Sequence, residues 1–204
     1  GYKLGYTSAA MRQQMNIDEP NYGVLSEDMG VAQGSGEVAF DSLIHPLIEP
    51  EIAVRLDRQL AGGGHDRQSV LRAGGFCMPA LEICDTRYRE YVFKAVDNIA
   101  DNSSSARYVL GAPHPISSVG DFRRIQVELW ADGKLLDQGW GSNAMDDPLI
   151  AVAWLANRLN RDGAQLNAGD IVLTGGLTRG YRAQRNQMFK ASFGALGDVT
   201  LYFR

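Results

Sequence analysis

The sequence of 204 residues contains only two cysteines and little that could form a long apolar segment. Cys77 and Cys84 lie seven positions apart, which excludes both a Cys-x-x-Cys zinc or redox motif and a dense disulfide framework. The longest apolar run, 149–156, is much shorter than the roughly 20 residues that cross a bilayer. We therefore expect no membrane-spanning helix and a location in the reducing cytoplasm.

Basic character is also scarce. The 20 Lys and Arg residues are outnumbered by 24 Asp and Glu residues, which gives a net charge of −4 without any basic run. Such a chain cannot neutralise a phosphate backbone, so neither nucleic acid nor a membrane is an expected partner. The composition, 45% hydrophobic and 22% charged, instead predicts a globular protein with a substantial core. Because no repeat or linker divides the sequence, we expect a single domain over residues 1–204.

Short strands joined by glycine turns dominate the predicted secondary structure. Residues 124–130 and 134–139 flank an Asp132-Gly133 pair, which supplies the positive φ angles of a tight hairpin turn. Further strands are predicted at residues 171–174, 188–193 and 199–203. The last two of these would form a second hairpin at the end of the chain.

Helices are fewer than strands. Asp147-Pro148 opens the clearest one, which extends to about Arg161, because Asp is a good N-cap and Pro suits the first turn. Ser8 is the predicted N-cap of another helix, which reaches about Gln14. The predicted fold class is mostly β with α (α+β): a mostly antiparallel, rolled or barrel-like β core with a few outer helices.

Three glutamates are the strongest candidates for chemistry. Glu49 and Glu51 stand two apart in an extended stretch, so they project to the same side, where like charges are unfavourable unless a cation lies between them. Glu82 lies in an apolar strand, where an unpaired carboxylate would be costly to bury. Three carboxylates without a converging His or Cys predict an all-oxygen metal site that suits Mg²⁺ or Mn²⁺.

Other interpretations of these residues remain open. The Glu-x-Glu pair is also typical of a solvated strand face, and Glu82 could instead form an ion pair with Arg87. The three histidines, His45, His65 and His114, are not placed like metal ligands.

Seven motifs in order resemble one enzyme family over nearly the whole chain. They are Gly1-Tyr2-Lys3-Leu4-Gly5-Tyr6-Thr7-Ser8, Asp18-Glu19-Pro20-Asn21-Tyr22-Gly23, Glu49-x-Glu51, Pro79-Ala80-Leu81-Glu82, Ala100-Asp101-Asn102-Ser103-Ser104, Trp154-Leu155-Ala156-Asn157 and the segment 168–176. Together they resemble the 2-oxopent-4-enoate hydratase and 4-oxalocrotonate decarboxylase family of the fumarylacetoacetase-like superfamily. Each motif is weak alone, but their order is specific.

The resemblance implies a fumarylacetoacetase-like fold with a catalytic site for a small 2-oxo acid. It places Mg²⁺ or Mn²⁺ on Glu49, Glu51 and Glu82 and implies a homo-oligomer, with a possible complex between this chain and a paired hydratase or decarboxylase. Family members also carry an N-terminal helical segment before the first motif, which this chain is expected to lack.

The resemblance also suggests roles for further residues. Lys3 occupies the position of a family lysine and is the candidate proton donor or acceptor, because a lysine beside a metal in a closed pocket can have a lowered pKa. A surface lysine near the chain terminus is the alternative. Substrate binding is predicted for Asp101, Asn102, Ser103, Thr174, Gly175 and Thr178. Ordinary turns explain these segments equally well.

The expected activity is that of a lyase for unsaturated 2-oxo acids of aromatic meta-cleavage catabolism. Residues 85–88 and 103–108 resemble the decarboxylase branch more closely, which favours decarboxylation of 4-oxalocrotonate (2-oxo-3-hexenedioate) through a metal-stabilised dienolate. Arg87 or Arg107 would suit a dicarboxylate substrate, or either could form a structural ion pair.

Two alternatives to the decarboxylase remain. One is a hydratase that converts 2-hydroxypenta-2,4-dienoate to 4-hydroxy-2-oxopentanoate, and the other is a non-catalytic partner subunit. A carbon–carbon bond hydrolase would need a His–Glu pair to activate water, and none is evident. Departures from the family pattern at 141–148, 185–187 and Tyr6 affect the expected shape of the pocket.

Overall fold

The computed structural model describes residues 1–8, 12–13 and 17–204. Its strands are β1 (Tyr2–Gly5), β2 (Asn21–Val24), β3 (Ser35–Val38), β4 (Leu47–Leu56), β5 (Gly74–Cys84), β6 (Ser105–Leu110), β7 (His114–Pro115), β8 (Gln126–Ala131), β9 (Lys134–Trp140), β10 (Ile171–Leu173), β11 (Tyr181–Arg182), β12 (Gln187–Ser192) and β13 (Asp198–Phe203). The α-helices in this part of the chain are α1 (Arg67–Ala73), α2 (Ala95–Ala100) and α3 (Pro148–Arg161).

The strands form two sheets. The larger sheet has the order β2-β1-β10-β4-β5-β6, with β11 paired to β4 and β7 paired to β5. The smaller sheet has the order β3-β13-β12-β8-β9. Pairing is antiparallel except between β1 and β10 and between β13 and β3. The sheets curl into a half-barrel, which confirms the predicted α+β class with a rolled β core.

The two faces of the larger sheet have different surroundings. In β4, Ile48, Ile52 and Val54 belong to the main hydrophobic core, together with Phe189 and Phe203 of the smaller sheet. Side chains alternate along a strand, so Glu49, Glu51 and Ala53 point to the opposite face. That face carries a smaller apolar cluster of Leu25, Ala53, Met78, Ala80 and Leu173. The candidate glutamates of β4 thus lie on the face turned away from the main core.

Local sequence signals explain the best predicted elements. The Asp147 carboxylate accepts a hydrogen bond from Leu149 N at 2.9 Å, and Pro148 occupies the first turn of α3, as predicted. Asp132 and Gly133 have φ angles of 49° and 78° in the turn between β8 and β9. The hairpin of β12 and β13 is also confirmed.

Several elements were not anticipated or are not described. The predictions named neither α1 nor α2, whose seven and six residues are too short to show a clear helical period. Most of the helix predicted from Ser8 to Gln14 lies outside the described residues. Among the helices that are described, none is long and apolar enough to cross a membrane.

Candidate metal and proton-transfer site

The pairing of β4 with β5 brings the predicted carboxylates together. Glu49 lies directly opposite Glu82, Glu51 is opposite Ala80, and Cys84 is opposite Leu47. In an antiparallel pair, opposite residues point to the same face, and so do residues two positions apart on one strand. The three glutamates and Cys84 therefore share the face of the larger sheet that is turned away from the main core, here called the outer face.

One group of possible metal ligands at this face includes a cysteine. One ligand atom from each of Glu49, Glu82 and Cys84 lies within 4.8 Å of the other two. The expectation of carboxylates without a converging cysteine was wrong here, because Cys84 follows Glu82 by two positions on the same strand face. Glu51 stands beside this group, and its Oε2 accepts a hydrogen bond from Gly175 N at 2.7 Å.

Several carboxylate oxygens at the site are buried without a hydrogen-bond donor. Both oxygens of Glu82 and Oε1 of Glu51 have no hydrogen-bond partner within the described ranges, although both side chains are 0% exposed. Buried carboxylates left in this way are costly unless a cation compensates them. This donor set of hard oxygen atoms fits a divalent cation such as Mg²⁺ or Mn²⁺.

Charge repulsion acts on the same carboxylates. Burial and the negative charge of Glu82 together raise the pKa of Glu49 to about 7, and the ammonium of Lys3 opposes both effects. Burial also raises the pKa of Glu51, to which Glu82 and Glu49 add repulsion. Perturbed acids that converge on one point are typical of functional sites.

Lys3 is buried beside the carboxylates rather than exposed at the terminus. Its Nζ lies 3.1 Å from Glu82 Oε1 in an ion pair and donates a hydrogen bond to the carbonyl oxygen of Ser103 at 2.9 Å. Burial by itself lowers the pKa of Lys3, but the neighbouring Cys84, Glu82 and Glu49 outweigh it, so the pKa is raised. The Lys3 pKa is thus raised in the metal-free protein, and its lowering beside a bound metal stays a prediction.

Two glycines leave room for the Glu49 side chain. A Cβ atom on Gly176 would lie 2.7 Å from Glu49 Oε2, and one on Gly180 would lie 2.9 Å from Glu49 Oε1. Those distances are shorter than van der Waals contact, so larger residues at these positions would displace the carboxylate.

The segment 101–103 lies close to Lys3 but is held by protein contacts. Asp101 accepts hydrogen bonds from Thr86 Oγ1 at 2.7 Å and from the Nε of Arg87. The Asn102 side chain bonds both backbone groups of Val24. Ser103 Oγ donates to Asn21 Oδ1 at 2.9 Å. Their predicted role in substrate binding stays a prediction.

The second predicted substrate-binding segment contacts Glu51. Thr174 Oγ1 donates to the carbonyl oxygen of Ile52 at 2.8 Å, which fixes the turn that presents Gly175 N to Glu51. Thr178 Oγ1 donates to the carbonyl oxygen of Arg179. Gly175 thus orients a carboxylate of the site, and substrate contact by these residues also stays a prediction.

The predicted alternative of an ion pair between Glu82 and Arg87 was wrong. Its cationic partner is Lys3, whereas Arg87 binds Asp101. Lys3 and Glu82 are 79 positions apart and meet only through sheet pairing, which sequence spacing does not show. Arg107 donates to the carbonyl oxygen of Ala106. The imidazole ring of His45 packs against Tyr91, with 5.0 Å between ring centroids.

Comparisons with known proteins agree with this architecture. The sequence profile of the family described as fumarylacetoacetate (FAA) hydrolase C-terminal matches residues 6–200. The chain is 38% identical over 205 residues to 2-keto-4-pentenoate hydratase 1 of Dechloromonas aromatica (strain RCB), covering 100% of this chain and 77% of the relative. It is 34% identical over 203 residues to 4-oxalocrotonate decarboxylase of Pseudomonas putida, covering 100% and 76%.

A solved structure shows the same fold. It is 4-oxalocrotonate decarboxylase from Pseudomonas putida G7, complexed with magnesium and adipate, and it matches with a TM-score of 0.96 at 33% identity over 100% of this chain and 77% of that one. Hydratases and decarboxylases are both lyases, so the predicted enzyme class is confirmed at that level. As its motifs predicted, the chain belongs to the fumarylacetoacetate hydrolase C-terminal family.

Proposed function

We propose that this chain is a divalent-metal-dependent lyase that decarboxylates 4-oxalocrotonate, an unsaturated 2-oxo acid of aromatic meta-cleavage catabolism. One observation carries the proposal: Glu51 and Glu82 are fully buried with oxygens that lack a hydrogen-bond donor in the described part of the chain, and Lys3 lies beside them. The decarboxylase structure complexed with magnesium and adipate, a six-carbon dicarboxylate, supports the choice of metal and substrate.

Glu49, Glu51 and Glu82 would hold the cation. When bound, Mg²⁺ or Mn²⁺ supplies Lewis-acid stabilisation of negative charge that develops on the 2-oxo acid. The protein prepares this site through Gly175 N, which orients Glu51, and through Gly176 and Gly180, which leave room for Glu49.

Lys3 would donate the proton that the reaction requires. The carbonyl oxygen of Ser103 and the carboxylate of Glu82 hold Nζ at a fixed position on the sheet. In the decarboxylation, the bond to the distal carboxylate breaks, CO₂ leaves, and its electron pair moves through the conjugated chain towards the 2-oxo end. Lys3 Nζ would supply the balancing proton there.

A hydratase is the second candidate, and the greater identity to a relative named 2-keto-4-pentenoate hydratase 1 favours it. In that reaction the dienol is protonated at its far carbon and water then adds to the resulting enone. The site contains the same metal ligands and lysine for either reaction. A non-catalytic subunit is the third candidate, but Lys3 and all three glutamates are retained, which argues against it.

Product analysis tests the proposal. The full chain is incubated with Mg²⁺ and either 4-oxalocrotonate or 2-hydroxypenta-2,4-dienoate, and bound metal is measured in parallel. We expect CO₂ from the first substrate, loss of that activity in Glu51→Gln, and retention in Glu37→Gln, whose side chain is exposed on the smaller sheet.

The other outcomes identify the alternatives. Turnover of only the diene substrate to 4-hydroxy-2-oxopentanoate would show a hydratase. Metal binding without turnover of either substrate would support the non-catalytic subunit.

A further inference from the structure

We propose that Cys84 gives this site a second ligand set, Glu49, Glu82 and Cys84, which binds thiophilic divalent cations such as Zn²⁺ and Cd²⁺. The inference rests on the proposed function in one respect, since Glu49 and Glu82 are shared with the Mg²⁺ or Mn²⁺ site. It adds a cation class that an all-carboxylate site does not favour, because thiolates select softer metals.

The strand register places the sulfur atom among the carboxylates. Cys84 follows Glu82 by two residues in β5, so both side chains point to the outer face, and Glu49 lies opposite Glu82 on β4. The three ligand atoms lie within 4.8 Å of one another. Atoms bound to one tetrahedral zinc ion are about 3.5 Å apart, so side-chain shifts of about 1 Å would complete the set.

The buried carboxylate of Glu82 independently indicates a site for a cation. It is 0% exposed, and neither of its carboxylate oxygens has a hydrogen-bond partner in the parts of the chain that the structure describes. Its ion pair with Lys3, at 3.1 Å from Oε1, supplies a single positive charge to a site that holds three glutamates. A fully buried carboxylate therefore faces the same point as the free, buried thiol of Cys84.

The Lys3 ammonium lies next to Cys84 and Glu82, where the thiophilic cation would bind. Nζ lies 3.7 Å from Cys84 Sγ and 3.1 Å from Glu82 Oε1. A cation held by Cys84 and Glu82 would replace Lys3 as their positive partner and repel it. Coordination breaks the S–H bond and forms an S–metal bond, and the proton passes to solvent without any oxidation or reduction. We therefore expect Cd²⁺ to compete with Mg²⁺ and to displace the lysine.

Cd²⁺ titration of the reduced, chelator-treated full chain tests the proposal. A sulfur-to-cadmium charge-transfer band in the ultraviolet reports a cysteine ligand directly. Cys77→Ala is the matched control, because Cys77 is also buried and free in β5 but points into the main core. We expect the band in the wild type and in Cys77→Ala, and its loss in Cys84→Ala and Cys84→Ser. Cd²⁺ affinity should fall roughly 10–100-fold or more in the Cys84 variants.

The results separate this inference from the proposed function. Wild-type protein that turns over substrate with Mg²⁺ but shows no band, or a band that survives in both Cys84 variants, would overturn the inference alone. A Cys84-dependent band in a protein without turnover would support the inference and overturn the proposed function.

Discussion

Two groups of buried acids on neighbouring segments differ in what surrounds their oxygens. Asp85 and Asp101 are 5% and 9% exposed, and the oxygens of both carboxylates accept hydrogen bonds from the protein. Glu51 and Glu82 are 0% exposed, yet three of their four oxygens have no such bond from any described residue. Burial alone therefore does not identify a functional acid.

The difference lies in whether the fold itself satisfies the charge. Asp85 accepts from the backbone N–H groups of Ile44 and His45, so its carboxylate fixes one loop to another. The glutamates face one another across β4 and β5 and repel, with one lysine as the compensating cation. Such an arrangement lowers stability and is typical of a site that awaits a ligand.

Replacement of Glu51 should have the largest effect, because it should lower activity while it raises the stability of the metal-free protein. We expect Glu51→Gln to weaken Mg²⁺ binding and turnover by more than about 100-fold, the upper end of the loss seen when a residue that only supports a metal ligand is removed. The Gln carbonyl can still accept from Gly175 N, and a buried carboxylate that its neighbours repel is gone, so the metal-free protein should melt at a higher temperature. Calorimetric titration and thermal denaturation with EDTA measure both effects, and unchanged Mg²⁺ affinity would contradict the assignment.

Asp101→Asn should instead lower stability and leave kcat and Mg²⁺ affinity close to wild type. It weakens the bonds to Thr86 and Arg87, and because the Arg87 side chain is 47% exposed, the expected loss in unfolding free energy is about 1–3 kcal/mol. Denaturant unfolding measures this loss, while kcat and Mg²⁺ affinity of the folded protein should stay close to wild type. Asp162→Asn, which breaks an exposed pair with Arg158, is the control and should cost about 0–1 kcal/mol.

An increased KM for Asp101→Asn without loss of stability would instead support the predicted role of Asp101 in substrate binding.

The smallest effect expected is a pH dependence of the metal-free protein. The pKa of Glu49 is raised from 4.5 to about 7, so the folded state binds more protons than the unfolded state between these values. The contribution of Glu49 to stability is then greatest below about pH 4.5 and is lost as the pH rises through about 7. Melting temperatures in EDTA should follow this direction, and saturating Mg²⁺ should remove the dependence. A melting temperature that rises over the same range would contradict the raised pKa of Glu49.

Local signals were sufficient for part of the fold. The Asp147-Pro148 cap and the Asp132-Gly133 turn act within a few residues, so α3 and the β8–β9 hairpin could be predicted from sequence. The same-face placement of Glu49 and Glu51 followed from strand alternation alone.

Contacts between distant residues could not be predicted in the same way. The pairing of Lys3 with Glu82 depends on the order of strands in the larger sheet, and Arg87 was a plausible partner by sequence distance alone. The proximity of Cys84 could have been noticed, because Glu82 and Cys84 share the spacing that drew attention to Glu49 and Glu51. Hydrogen bonding of Asp101 by Thr86 and Arg87 required the packed loops.

The site draws on strands from the beginning, middle and end of the chain, and this has a consequence for folding order. The hairpin-like pairing of β4 with β5 can unite Glu49 and Glu82 over a modest loop. Lys3 is brought in only when β1 pairs in parallel with β10, which joins Tyr2 to Val172 across most of the sequence. Contacts of such long sequence separation form slowly. During folding, the acidic half of the site would therefore exist before its lysine arrives, and a nascent chain could acquire its cation before it becomes an active enzyme.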